Sequence, residues 1–209
     1  MSEATNTPTV VLVHGGFADA SYWVPVIERL QADNVPVLAP PNPLRGLAQD
    51  AEYLASWVNQ IGGPVLLVGH SYGGAVISVA GASTPDAVGL VYGETAVELT
   101  IAPELYQEAF AADVSEDVTR VLAVSQRPFA AILDDRAQAA AWKTLPSWAV
   151  VATSDKAIPP DAERHMYSRA GAQTSEVDAS HSIALSQPDA VADLIRTAVG
   201  ATSSVPSSA

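Results

Sequence analysis

A serine held between glycines is the feature of this sequence best suited to chemistry. Gly69-His70-Ser71-Tyr72-Gly73 fits the pattern G-x-S-x-G, and it lies between an apolar run (65–68) and a helix-like run (73–82). A pattern with only three fixed residues also occurs by chance in ordinary turns. In this context, however, the pattern predicts a tight strand-to-helix turn that presents the Ser71 hydroxyl as a nucleophile, at the positive end of a helix dipole.

A serine hydroxyl is a weak nucleophile at neutral pH and needs an adjacent base. The chain has four histidines, at positions 14, 70, 165 and 181. His70 is expected to point away beneath the turn, and His165 falls within a helical pattern. His181 follows the last strand-like run and precedes the C-terminal helical pattern, which favours it as the base over a simple surface loop histidine.

The base in turn needs a carboxylate to orient it, and the chain order Ser, acid, His leaves several candidates. Asp155 directly follows the strand-like run 148–152, so it is favoured. Glu94 follows the neighbouring run and remains the alternative. Asp178 is too close to His181 in sequence, and Asp161 is expected to cap a helix.

Short apolar runs alternate with helical patterns along the chain, which predicts a parallel sheet covered by helices on both faces. In such a sheet the ligand crevice lies beyond the carboxyl ends of the strands, where His14, Ser71, Asp155 and His181 fall. The predicted strands are 9–13, 36–39, 65–68, 87–91, 148–152 and 174–177, and the predicted helices are 23–33, 46–61, 73–82, 162–170 and 188–199.

One stretch departs from this alternation. Residues 94–143 contain no strand-like run but several helix-like ones, at 103–112, 116–124 and 136–142. We therefore predict one α/β core, residues 1–93 and 144–200, interrupted by a helical cap at 94–143. Residues 201–209 are small and polar and are expected to form a flexible tail.

Composition excludes several classes of function. The 209 residues suit one domain, and 48% hydrophobic residues suffice for a core. Ten basic against 23 acidic residues give a net charge of −13, so nucleic acid and anionic membranes are not expected partners. There is no cysteine, hence no thiolate chemistry. With no leader-like or membrane-spanning segment, a cytoplasmic monomer or homodimer is expected.

Five segments together resemble the α/β-hydrolase family, and within it compact bacterial esterases related to plant methylesterases and hydroxynitrile lyases. They are VLVHGGFADASYW (11–23), GHSYGGAVI (69–77), AAWKTLPSW (140–148), TSDKAIPP (153–160) and EVDASHSIALSQPDAV (176–191). The resemblance implies a Ser71, His181 and Asp155 triad. It also implies an oxyanion hole formed by the backbone amides of Phe17 and Tyr72.

The chain departs from the family in two places. It begins at what would be the family's third strand, so six strands are expected, with the second run beside the first. The segment after Tyr92 is shorter than usual, which predicts an abbreviated, more open roof. Candidate substrate-binding residues are the turn His14, Gly15 and Gly16 and the aromatic side chains Tyr22, Trp23 and Trp142.

The function predicted is hydrolysis of a small-molecule carboxylic ester through an acyl-serine intermediate, with no metal or organic cofactor. Lactone opening, cofactor-free perhydrolase or haloperoxidase action, C–C hydrolysis and cyanohydrin cleavage remain alternatives, as does a non-catalytic ligand receptor. Hydroxynitrile lyases resembling this chain carry a lysine after the catalytic histidine and a threonine after the histidine of the first loop. Ser182 and Gly15 stand there instead, which argues against the lyase.

Overall fold

The computed structural model of the protein describes residues 7–93, 101–127, 137 and 139–203. Its centre is a six-stranded sheet in the order β2-β1-β3-β4-β5-β6, in which every neighbouring pair is parallel. The strands are β1 (Thr9–Val13), β2 (Val37–Leu38), β3 (Val65–His70), β4 (Ala87–Gly93), β5 (Ser147–Ala152) and β6 (Gln173–Val177). The predicted parallel sheet, with the second run beside the first, is confirmed.

Eight α-helices accompany this sheet in the described residues. They are α1 (Val24–Ala32), α2 (Leu47–Val58), α3 (Tyr72–Ala80), α4 (Tyr106–Phe110), α5 (Glu116–Ser125), α6 (Pro160–Ala170), α7 (Ile183–Ser186) and α8 (Pro188–Thr202). Helix α8 extends two residues into the segment predicted as a tail, and Thr202 is buried there.

The sheet separates two hydrophobic clusters because alternate residues of each strand point to opposite faces. Val10 and Leu12 pack with Leu30 of α1 and Ile195 of α8 on one face. Their neighbours Val11 and Val13 pack on the other face, in the cluster that includes Leu54 of α2 and Ile77 of α3. Burial of both faces explains why the central strands β1, β3 and β5 are almost continuously apolar, whereas the edge strand β6 is polar and largely exposed.

The predicted cap is described only in part, since residues 94–100, 128–136 and 138 lie outside the described residues. Within 101–127 the chain forms a short 3₁₀ helix, Pro103–Leu105, and then α4 and α5. Of the predicted helix 136–142, the described part contains a 3₁₀ turn at Ala141–Lys143.

Across the described ranges, no helix combines the length and the apolar character needed to span a membrane.

Candidate active site

Ser71 lies on a strained turn between β3 and α3. Its backbone has φ 54° and ψ −128°, a region that residues with a Cβ rarely adopt. The turn continues directly into α3, and the Gly74 amide donates a hydrogen bond to the Ser71 carbonyl at 2.8 Å. The carboxyl end of a parallel strand therefore meets the amino end of a helix at this serine, as the sequence pattern predicts.

Two glycines make this turn possible. A Cβ on Gly69 would lie 2.5 Å from the carbonyl carbon and oxygen of Gly73, and a Cβ on Gly73 would lie 2.3 Å from the carbonyl oxygen of Val13. No side chain fits at such distances from backbone atoms. Gly69 is therefore required because the two ends of the turn lie close together, and Gly73 is required because α3 lies close to β1.

His181 and Asp155 form a buried pair beyond the ends of β5 and β6. Nδ1 of His181 lies 2.7 Å from Oδ2 of Asp155, and both side chains are fully buried. Oδ1 of Asp155 accepts the backbone N–H groups of Ala157 at 2.5 Å and Ile158 at 2.9 Å. Both carboxylate oxygens are therefore held, which fixes the imidazole in one orientation with a proton on Nδ1.

Backbone hydrogen bonds between the strand ends bring Asp155 and His181 together across 26 residues of sequence. The Thr153 amide donates to the Val177 carbonyl at 2.9 Å, and the Ser154 amide donates to the Ala179 carbonyl at 3.1 Å. The Ser154 hydroxyl also donates to Asp178 at 2.6 Å. The Asp178 carboxylate therefore links the two loops that carry Asp155 and His181.

His70 connects the serine turn to the His181 loop from below. Its Nε2–H donates to the carbonyl oxygen of His181 at 2.9 Å, and its ring stacks on Tyr22 with centroids 4.4 Å apart. Burial lowers the pKa of His70 to about 3, so the ring is neutral at ordinary pH. The expectation that His70 points beneath the turn agrees with this placement, which gives the residue a structural role.

The first glycine-rich loop lies directly against Ser71. A Cβ on Gly15 would be 2.6 Å from the Ser71 Cβ and 3.2 Å from its hydroxyl oxygen. Phe17, two residues later, has a positive φ of 59°, which turns the chain sharply at this point. The loop therefore carries its backbone past the serine at contact distance.

His14 holds that loop and does not face a ligand. Its Nε2 accepts the backbone N–H of Asn42 at 3.0 Å, its Nδ1–H donates to the Gly15 carbonyl at 2.8 Å, and the ring is fully buried. Burial lowers its pKa, consistent with a neutral ring. The Asn42 amide group also donates to the His14 carbonyl at 2.9 Å. We therefore leave His14 out of the proposed substrate pocket.

A buried carboxylate supports the first residue of α3. The Tyr72 hydroxyl donates to Asp50 Oδ2 at 2.7 Å, and the backbone N–H of Arg45 donates to both oxygens of Asp50 at 3.1 Å. Both side chains are buried. Helix α2 thereby fixes Tyr72 next to the serine.

Helix α4 covers the site. The ring of Phe110 lies 4.5 Å from the His181 ring and meets the Phe17 ring edge-on at 6.0 Å. Ser71 is 3% exposed and His181 is 1% exposed. Beneath this roof, hydrogen bonds and charge interactions act with little screening by water.

The aromatic residues predicted to line a substrate pocket are placed differently from one another. A small pocket lies beside Phe17, between the first loop and residues 106–125, and Tyr22, Tyr106 and Leu122 help to line it. Trp23 is buried in the core cluster of β1 and α8, which leaves it out of the proposed pocket.

Trp142 also lies apart from that pocket. It packs against the cluster on the α3 face, with the charged ends of Lys143 and Arg169 at 5.6 and 5.4 Å from its ring. Because the Trp142 ring already packs against these residues, we leave it out of the proposed pocket.

Two other acidic residues were considered in the sequence, Glu94 and Asp161. Glu94 lies outside the described residues. Asp161 makes no cap of α6, whose N-cap is Pro159; it pairs with Arg164 at 2.7 Å within the first turn instead. The expectation that it caps the helix was wrong because Pro160 already starts the helix one residue earlier.

Sequence reasoning missed Asn42, Asp50 and Asp113. Asn42 follows β2, so its place at the carboxyl end of a strand was a usable signal. Asp50 lies inside an amphipathic helix, and Asp113 lies in a loop of the cap. Neither position carries a local pattern that predicts its long-range partner.

The chain belongs to the alpha/beta hydrolase family, whose model matches residues 10–194. No curated protein sequence matches it significantly. Among solved structures, an extracellular α/β-hydrolase from a Paenibacillus species is similar at 19% identity, with a TM-score of 0.78 over 91% of this chain and 98% of that one. That protein is described as structurally and functionally homologous to tobacco salicylic acid binding protein 2.

An esterase and a second hydrolase share the fold to a similar degree. Polyneuridine aldehyde esterase is 19% identical with a TM-score of 0.79, covering 91% of this chain and 99% of that one. A pyrethroid hydrolase from Sphingobium faniae JZ-2 is 17% identical with a TM-score of 0.76, covering 95% and 99%. At these identities the likeness establishes the fold.

Proposed function

We propose that the protein hydrolyses small carboxylic esters through an acyl-serine intermediate. The observation that carries this proposal is the buried His181–Asp155 pair at 2.7 Å, in a loop that His70 joins to the strained strand-to-helix turn of Ser71. A serine, an imidazole and an orienting carboxylate are the three groups that acyl transfer requires. Esterase-type enzymes with the same fold add support.

In the proposed mechanism, His181 takes the proton of Ser71 as the hydroxyl oxygen attacks the ester carbonyl carbon. Asp155 keeps Nδ1 of the imidazole protonated, so that Nε2 acts as the base, and stabilises the imidazolium that forms. His181 then gives its proton to the leaving alcohol, and the acyl group stays on Ser71. In the second half of the reaction, water gives a proton to His181 and attacks the acyl-serine, and His181 returns that proton to the Ser71 oxygen as the acid leaves.

We assign the oxyanion hole to the backbone amides of Phe17 and Tyr72. Tyr72 directly follows Ser71 as the first residue of α3, and Phe17 follows the glycine-rich stretch that passes Ser71 at contact distance. Each amide that faces the developing oxyanion contributes about 3 kcal/mol to transition-state stabilisation.

The site favours small, uncharged esters. Ser71 is nearly inaccessible beneath Tyr106 and Phe110, and the pocket beside Phe17 is small. The net charge of −13 disfavours the approach of anionic substrates.

Ser71→Ala tests the proposal. Turnover of p-nitrophenyl acetate should fall by more than about 10³-fold, and a fluorophosphonate probe should label Ser71 in the wild type only. Ser78→Ala, on the same helix, is the matched control and should retain activity and labelling. Labelling of another serine, or full activity in Ser71→Ala, would refute the assignment.

Cyanohydrin cleavage by the same triad is disfavoured by two positions. A side chain at position 15 would collide with Ser71, so there is no room for a hydroxyl-bearing residue there. Ser182 stands beside His181, and its hydroxyl donates to the Phe110 carbonyl at 3.0 Å. With no cation at that position, a leaving cyanide would be unpaired in a buried site. Mandelonitrile should therefore be cleaved no faster than in buffer; cyanide release that depends on Ser71 would contradict this reasoning.

A further inference from the structure

The loop that carries His181 is held from the cap side as well as from the sheet side. The backbone N–H of Ser180 donates to Oδ2 of Asp113 at 3.0 Å, and the Ser180 hydroxyl donates to Oδ1 of the same carboxylate. One carboxylate thus accepts two hydrogen bonds from the residue directly before the proposed base.

The residue after His181 is held by the same part of the cap. The Ser182 hydroxyl donates to the Phe110 carbonyl, and the Ser182 amide donates to the Ser180 hydroxyl oxygen at 3.3 Å. The Phe110 ring lies against the His181 ring. Residues 110–113 therefore contact His181 and both of its sequence neighbours, and we call this segment the roof clamp.

We propose that Asp113 is a positioning residue, which acts through Ser180 to fix the His181 imidazole between Asp155 and Ser71. This inference rests on the proposed function for its kinetic consequence. Asp155 holds one edge of the ring and the His70 side chain holds the His181 carbonyl. The roof clamp holds the residues on either side of His181 and places Phe110 against the ring, so the backbone from which the ring projects is fixed on both sides.

The charge state of Asp113 suits this role. Partial burial raises the pKa of its carboxyl, but the hydrogen bonds that it accepts, those from Ser180 foremost, outweigh burial and hold the pKa below its ordinary value. The group is therefore a carboxylate at neutral pH. Hydrogen bonds to an ionised acceptor are about twice as strong as neutral ones, so the clamp holds although Asp113 is itself exposed to solvent.

The experiment compares Asp113→Ala with Asp113→Asn, which keeps one acceptor oxygen, and with the matched control Asp117→Ala, an exposed aspartate four residues along the cap. Three quantities are measured: kcat and KM for p-nitrophenyl acetate, and the low-field NMR resonance of the His181 Nδ1 proton shared with Asp155. A merely structural carboxylate would move neither the resonance nor the ratio of kcat to KM.

We expect Asp113→Ala to lower kcat on the order of 10-fold to 100-fold, because small misplacements of a catalytic group carry such costs, while KM changes by less than about threefold. Its low-field resonance should broaden or shift, and Asp113→Asn should recover part of both effects. Asp117→Ala should match the wild type.

Two results would overturn the inference: an Asp113→Ala variant that matches Asp117→Ala in kcat and resonance, or one that raises KM alone with the resonance unchanged. If the wild type hydrolyses no ester, the proposed function fails, but the resonance still decides whether Asp113 positions the His181 ring.

Discussion

Glu163 on α6 makes the stability of this protein depend on pH, and Glu163→Gln tests that dependence. The side chain is fully buried, and neither carboxylate oxygen makes a well-formed hydrogen bond with a described residue. Burial raises the pKa of Glu163 from its ordinary 4.5 to about 8, while smaller effects of His181, the Ala152 amide and Arg164 act in the opposite direction. The carboxyl is therefore protonated at neutral pH and ionises only in alkaline solution.

The magnitude follows from the two pKa values. The folded state binds this proton more tightly than the unfolded state does, so the contribution to stability is complete below pH 4.5 and is lost as the pH rises through 8. Each pKa unit corresponds to about 1.4 kcal/mol, so the whole interval corresponds to a loss of about 5 kcal/mol. Between these two pKa values, the free energy of unfolding should fall by about 1.4 kcal/mol per pH unit because of Glu163 alone.

Urea unfolding of the wild type and Glu163→Gln at half-unit steps from pH 5 to pH 9 measures this effect. Glutamine cannot ionise, so the difference in unfolding free energy between variant and wild type should rise with pH by about 4 to 5 kcal/mol. Any cost of burying the glutamine amide is the same at every pH and cancels from the slope. Glu52→Gln, at an exposed position on α2, is the matched control and should show a flat difference.

A flat difference for Glu163→Gln, equal to that of Glu52→Gln, would refute the reasoning. It would mean that the carboxyl ionises at its ordinary pKa and is therefore not enclosed between α6 and the sheet.

Two further predictions concern the site and its turn. Asp155→Asn should lower kcat on the order of 10³-fold to 10⁴-fold because the amide favours the wrong imidazole tautomer, while Glu94→Gln should change it little; the reverse ranking in the p-nitrophenyl acetate assay would move the acid to Glu94. Gly73→Ala should destabilise the fold by about 2 kcal/mol or more, since its methyl group would lie 2.3 Å from the Val13 carbonyl oxygen, whereas Gly200→Ala on α8 has open space and should be neutral or stabilising. Thermal unfolding of the two glycine variants checks this, and equal melting temperatures would contradict it.

Local sequence predicted the parallel sheet and the serine turn well because the information for both is short-range. Apolar runs of four or five residues mark strands that are buried on both faces. The glycines around Ser71 mark a turn whose backbone excludes side chains. The placement of Asp155 beyond β5 also follows from sequence, because the carboxyl ends of parallel strands lie at one edge of the sheet.

The surroundings of the site depended on contacts that no local pattern encodes. His14, Tyr22 and Trp23 lie in the segment 11–23 that includes the first glycine-rich loop, yet the fold uses His14 to bind Asn42 and buries Trp23 in the core. Element ends were also shifted by tertiary contacts: β2 is limited to Val37–Leu38, and α8 continues to the buried Thr202.

The sequence by itself determined which side chains are available for the proposed chemistry: a serine on a glycine-flanked turn, and an acid and a histidine that follow strand-like runs and so lie at one edge of a parallel sheet. Only the tertiary structure decided what holds them, because the partners are distant in sequence. Asp155 meets His181 across 26 residues, and Asp113 meets Ser180 across 67. Such pairs require that β5 and β6 lie side by side and that residues 110–113 pack against the His181 loop. No local sequence pattern marks these side chains as partners.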